Sequence, residues 1–378
     1  MSKAKLTLLL IFGIIALVLG IVYANFVQRR APKIPVMKIS KTQKALPEKA
    51  KDAPRLATLA SNLEVPWALV FLPDRSILFT ERIGRVRFID SKSNLNPTPI
   101  AVIDDVLQQG EGGLMGITIH PDFSKNHFVY LYYTYANNNG QTLNRVVRFK
   151  FEENKFSDKT IIVDEIPGAL FHNGGRIKFG PDGFLYITTG DSQNPSLSQN
   201  TNSLAGKILR VDSEGKPAPG NPYGTEVFSF GHRNPQGITW DKDNRLWATE
   251  HGASAFDEIN IIEKGKNYGW PVIRGNQTQN GMETPILNSE SDTWAPAGAA
   301  YLNGSIFFAG LRGQALYEAV VNGNNVNLKV HLKGEVGRIR EVVAGPDNLL
   351  YITTSNRDGR GIPDSLDDKI IRVNPEKL

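Results

Sequence analysis

Beyond about residue 60, apolar residues come in short runs bracketed by Pro, Asp, Asn or Gly, and almost no stretch sustains the 3.6-residue rhythm of a helix. One pattern recurs six times: a polar turn, a short apolar strand and a second turn. Its clearest copies are LPDRSILFTER from Leu72, GPDGFLYITTGD from Gly180 and GPDNLLYITTSN from Gly345. Looser copies are HPDFSKNHFVYLYYT from His120, DKDNRLWATEHG from Asp241 and LNGSIFFAGLRG from Leu302. Successive copies start roughly 43 to 61 residues apart, on the whole slightly more than the ~40–50 of propeller blades. Several are followed by a strand with a basic-apolar rhythm, as in GRVRFID from Gly84, NRVVRFKF from Asn144, GKILRVD from Gly206 and DKIIRVNP from Asp368. A unit of three or four short strands cannot bury both its faces alone, so such units stack radially around a channel. The pattern predicts an all-β protein, a six-bladed β-propeller, with its function in loops at one mouth.

Composition changes this picture mainly at the N-terminus. Among 378 residues, 35 Gly and 22 Pro suit a turn-dense β protein. The net charge of +5 is uneven: residues 1–55 carry +9, leaving −4 for the body. Basicity confined to a tail argues against nucleic acid as a partner. The absence of Cys excludes disulfides, thiolate metal sites and a Cys nucleophile. Lys3 and Lys5 precede an uncharged, mostly apolar run from Leu6 to Val22, long for a signal-peptide core and short for a membrane span. A cleaved signal and a retained membrane anchor both fit residues 1–27, and either implies export to the periplasm or another extracytoplasmic space. Residues 28–55, rich in Lys, Pro and Ala, read as a flexible tether, and 56–378 as the propeller.

Five segments carry candidate chemistry. In FHNGGRIKFGPDGFLYITTGD, His172 precedes a strand that Asp191 ends, so a hairpin can bring carboxylate to imidazole. That is how a general base is oriented, although a structural hydrogen bond has the same spacing. In GHRNPQG, Arg233 and Asn234 sit in a Pro-stiffened turn, where a guanidinium polarises an oxygen, holds an anion or bridges blades. In TEHGASAFDEINIIEKGKNYGW, Gly252-Ala253, Asp257-Glu258 and Tyr268 supply hard oxygens that suit calcium over zinc, or form a solvated turn. Arg338 and Arg340 alternate along one strand and leave the same face. With Arg312 they suit a polycarboxylate; an exposed edge is the plain alternative. Glu111, among three glycines in GEGGLMG, marks a loop open to close ligand approach or a simple bulge.

Taken together, GGLMGITIHPDF, the H-x-G-G-R segment, GHRNPQG, and DEIN followed by NYGWP resemble the soluble glucose/sorbosone dehydrogenases, the pyrroloquinoline-quinone (PQQ) dependent aldose sugar dehydrogenases. The likeness runs from about Leu63 to Val373. It implies a six-bladed propeller with PQQ across the channel mouth and calcium at the quinone's oxygen edge. It implies His172 as the base that takes the sugar C1 hydroxyl proton while hydride passes to the quinone, and Asp191 as its orienting acid. By the same resemblance Arg233 polarises the quinone carbonyl, Asn234 contacts cofactor, and Arg312, Arg338 and Arg340 neutralise its carboxylates. Gly252 and Ala253 match the carbonyl ligands of calcium, and Asp257, Glu258 and Tyr268 a second, structural calcium site. The sugar is then the substrate and an unidentified quinone or redox protein the electron acceptor.

Three positions depart from the glucose-oxidising branch. Glu111 stands in place of Gln, Phe171 in place of an acid that touches sugar, and Ala253 in place of Pro. A short Ser192–Asn200 loop adds to the expectation of an open cleft accepting many aldoses. Two rival readings keep the propeller: a metal-dependent lactonase or esterase, and a binding propeller without catalysis.

Overall fold

The computed structural model describes residues 52–378, Asn324 excepted. The expected signal or anchor at 1–27, and the tether except its last four residues, lie outside them. Among the described residues no helix is long and apolar enough to cross a membrane.

Six four-stranded antiparallel sheets form the ring of a six-bladed β-propeller. Their innermost strands are β2 (Pro66–Phe71), β6 (Leu114–Ile119), β10 (Ile177–Phe179), β14 (Pro235–Trp240), β18 (Pro296–Leu302) and β22 (Ile339–Ala344). Neighbouring blades touch in order, and β22 returns to β2. Every copy of the repeated phrase supplies the second strand of a blade: β3 (Ile77–Glu81), β7 (Phe128–Ala136), β11 (Leu185–Thr189), β15 (Leu246–Glu250), β19 (Ser305–Gly310) and β23 (Leu350–Thr354). The basic-apolar segments supply third strands, among them β4 (Arg85–Ile89), β8 (Thr142–Glu152), β12 (Lys207–Val211) and β24 (Ile370–Val373). One closure was not legible in the repeat: β1 (Leu56–Ala60) pairs with β24, so the start of the described chain completes the last blade.

The phrase recurs because its Asp works twice. In GPDGFLY Asp182 accepts Phe184 N at 3.3 Å within the turn and the Tyr186 hydroxyl at 2.9 Å. Asp347 and Tyr351 repeat that 2.9 Å bond, and Asp241 takes the Trp247 indole N–H at 2.8 Å. Each carboxylate thus ties its turn to an aromatic of the following strand. Between blades the packing is apolar, a continuous cluster running from Trp67 through Leu114 and Tyr132 to Val227.

The inner strands are irregular where it matters. In five of them the register with the second strand shifts by one extra residue near the strand's start. A bulge of this kind re-aims a side chain. Trp67, Gln236 and Arg340 are the unpaired extra residues of β2, β14 and β22. They meet on the axis: Arg340 Nη1 donates to Gln236 Oε1 at 2.8 Å, and the Arg340 guanidinium lies 5.6 Å from the Trp67 ring centroid.

Candidate active site

The loops leading into the inner strands enclose a cavity of about 460 Å³, within the usual ~300–1,000 Å³ of small-molecule sites. His172 lies at its edge with a left-handed backbone, φ 61°. Its carbonyl crosses Gly190 so closely that a Cβ there would stand 1.9 Å from the oxygen; only glycine fits. Asp191, the next residue, therefore comes against the imidazole, with Oδ1 2.7 Å from His172 Nδ1. The carboxylate is buried and fixed further by Gln193 N at 2.9 Å and by Trp270 Nε1 at 2.9 Å. A carboxylate only accepts, so Nδ1 carries the proton and Nε2 is the basic nitrogen.

Beside this pair stands Glu111. Its Oε2 accepts the His172 backbone N–H at 3.2 Å and its Oε1 accepts Arg360 Nη1 at 2.7 Å. Burial opposes the charge on Glu111, but Arg360, His251 and the His172 N–H outweigh it and hold the carboxyl below its ordinary range. The Arg360 guanidinium also covers Phe171, 5.4 Å from the ring centroid.

Arg233, Arg312, Arg338, Arg340 and Arg360 all line the cavity. Arg338 is held by Asp358, with Nε at 3.1 Å and Nη2 at 2.9 Å from the same oxygen. Arg312 is exposed at the rim. The Nε atoms of Arg233 and Arg340 are buried without a partner among the described residues. Burial, offset in part by Asp358, pushes Arg340 down to about 9. Unpaired buried guanidinium donors are costly unless an anion meets them, so this donor set fits a polycarboxylate. Arg338 and Arg340 both reach the cavity, but for a reason the alternation argument did not contain: Arg338 precedes β22 and Arg340 is its bulge.

Asn234 Oδ1 accepts Gly174 N at 3.0 Å, which pins the segment carrying His172 and leaves only its amide NH₂ to meet a ligand. Arg233 Nη1 donates to the Gly252 carbonyl at 2.6 Å, with Ala253 beside it on the cavity wall. Behind them Asp257 accepts Gly252 N at 2.9 Å, Trp294 N at 2.7 Å and Ala295 N at 2.8 Å. A carbonyl that takes a guanidinium in front of a buried carboxylate is a hard-oxygen position of the kind that fits calcium.

Asp257, Glu258 and Tyr268 do not converge through their side chains. Asp257 is filled by the three backbone donors just described. Glu258, its neighbour on a strand, turns the other way to Gly275 N at 3.0 Å and Asn260 Nδ2 at 3.2 Å. The Tyr268 hydroxyl donates to Ile261 O at 2.7 Å and accepts Glu263 N at 2.8 Å. Among the described residues no group of three or more His, Cys, Asp or Glu is placed to hold a metal. Glu258 alone keeps the mark of a cation site: burial, with Glu250 across the strand pair, raises it to about 8, and Asn260 Oδ1 beside it is buried without a partner.

Sequence reasoning passed over Gln236, His251, Trp270, Asp358 and Arg360. The first three stand inside motifs already singled out. Arg360 and Asp358 belong to the NRDGRG loop, where a Gly-flanked run of charges after the last phrase copy was the available signal.

The sequence profile of the family "Glucose / Sorbosone dehydrogenase" matches residues 63–367. The aldose sugar dehydrogenase YliI of Escherichia coli K12 is 31% identical over 334 residues, 80% of this chain and 90% of that protein. The PQQ-bound aldose sugar dehydrogenase from Streptomyces coelicolor is 40% identical, with a TM-score of 0.80, covering 84% of this chain and 96% of that one. A putative oxidoreductase (glucose dehydrogenase) from Thermus thermophilus is 42% identical with a TM-score of 0.80, covering 84% and 99%. The chain belongs to the glucose/sorbosone dehydrogenase family, and is an oxidoreductase.

Proposed function

We propose that the protein is a PQQ- and calcium-dependent aldose dehydrogenase that oxidises the C1 hydroxyl of a cyclic aldose to the lactone. The observation that carries this reading is the presence, in one cavity, of an acid-held imidazole and buried guanidinium donors without partners. The relatives add support, one being an aldose sugar dehydrogenase and one a PQQ-bound structure.

When bound, PQQ would supply the hydride acceptor, and calcium held by the Gly252 and Ala253 carbonyls would supply a Lewis acid. Arg312, Arg338 and Arg340 would hold the cofactor's carboxylates, and Arg233 and the Asn234 amide would hold the quinone. His172 Nε2 takes the proton of the C1 hydroxyl, and Asp191 stabilises the imidazolium through Nδ1. Trp270 keeps Asp191 from turning away. Phe171 offers an apolar face to the sugar ring, and the Glu111–Arg360 pair offers an acceptor and a donor to its hydroxyls without fixing one stereochemistry.

Purified protein supplied with PQQ and calcium should reduce a dye in the presence of several aldoses, and chelation followed by gel filtration should abolish that activity. Absence of both turnover and quinone binding would overturn the reading.

Arg360→Ala tests the mouth. It removes the partner that does most to hold the Glu111 carboxyl below its ordinary range, so burial should raise that carboxyl in the variant. Carboxyl-carbon NMR titration of Glu111 reads the shift. Arg360→Lys should restore most of it. An unmoved Glu111 would mean that Arg360 serves only to pack Phe171.

A further inference from the structure

The axis has a second end. Opposite the site just described, the tips of the inner strands enclose a cavity of about 250 Å³. Its walls are mostly hydrocarbon, from Leu69, Phe71, Ile117, Ile238 and Val342, and its polar side chains are Thr118 and the charged Arg176, Lys178 and Glu341.

These three charges do not balance. Arg176 is buried, 6% exposed. Its Nε donates to Gln236 O at 2.9 Å and its Nη1 pairs with Glu341, but Nη2 is buried with no partner among the described residues. Lys178, two residues further, leaves the same face of the chain, and its ammonium makes no hydrogen bond to the described residues. Glu341 is already engaged by Arg176 and by its own neighbour, Val342 N at 3.0 Å. Two cations thus face one committed carboxylate. Burial accordingly drives Lys178 down to about 8. An anion would remove that penalty, and the walls select one with an aliphatic body, since a polyol would find few partners there.

We propose that this far mouth binds a short-chain aliphatic carboxylate, received by Arg176 Nη2 and the Lys178 ammonium, with its hydrocarbon against the strand tips. The site is tied to the upper one. Arg176 and Arg340 lie 4.4 Å and 5.6 Å from the same Trp67 ring, and Gln236 accepts from both, through its backbone oxygen and its side chain.

Calorimetric titration of cofactor-free protein with butyrate at constant ionic strength tests this. One saturable site per chain is expected, with Kd of about 1 mM or below. Lys178→Met should weaken it at least ~10-fold, whereas Arg312→Met, which removes a cation from the rim of the upper cavity, should leave it unchanged. No saturation by ~50 mM in the unmodified protein, or equal affinity in Lys178→Met, overturns the proposal. Loss of binding in Arg312→Met alone would overturn it too, by placing butyrate in the upper cavity. Displacement by chloride as effective as by butyrate would replace it with a simple anion pocket. Thermal melting of each variant separates lost binding from lost folding.

Discussion

His172→Gln should lower kcat by about two to four orders of magnitude, the usual worth of a positioned general base, while PQQ affinity stays within about twofold of the unmodified protein. The separation follows from geometry. His172 touches Asp191 and Glu111, not the guanidinium donors that would hold a cofactor, and Gln is close enough in size to keep the loop. Its backbone conformation is set by the crossing over Gly190 rather than by the ring. Stopped-flow reduction of bound quinone by an aldose reads the chemical step, and equilibrium dialysis reads binding. A variant that binds quinone and still oxidises sugar at the original rate would remove His172 from the mechanism.

Arg340→Met should have the opposite profile. Removing a buried charged partner costs about 2–5 kcal/mol, which is roughly 30- to 4,000-fold in PQQ affinity. The same change should leave the cofactor-free protein as stable or more so, because the guanidinium is buried with an unpartnered Nε and a depressed pKa, and Met keeps its stem against Trp67. A lower melting temperature without cofactor would mean that the arginine is there for the fold. An unchanged PQQ affinity would mean that the carboxylates are held elsewhere.

The blades were legible because one carboxylate does the same task in several of them. Asp182, Asp347 and Asp241 each tie a turn to an aromatic on the next strand, and that demand writes itself into the sequence as a repeat. The His172–Asp191 pair was legible because both ends lie on one hairpin. What escaped was contact between distant segments. Arg360 reaches Glu111 across 249 residues, and β1 closes the last blade by pairing with β24 from the other end of the chain; neither leaves a local trace. The side chains of the second calcium set part for a different reason. Adjacent Asp257 and Glu258 share a motif, but neighbouring residues on a strand point to opposite faces, and the phenol of Tyr268 is spent on its own turn.

The extra residues on the inner strands give the hub an evolutionary arithmetic of its own. Substituting Trp67, Gln236 or Arg340 alters one group on the axis and leaves the ladder intact. Losing any of these codons restores even pairing and reverses which side chains look inward from there to the strand's tip. The outer connections absorb added or missing residues at little cost. Such a wheel can diversify its chemistry by replacement at the hub and its contacts by length changes at the circumference, and the two kinds of change rarely trade places.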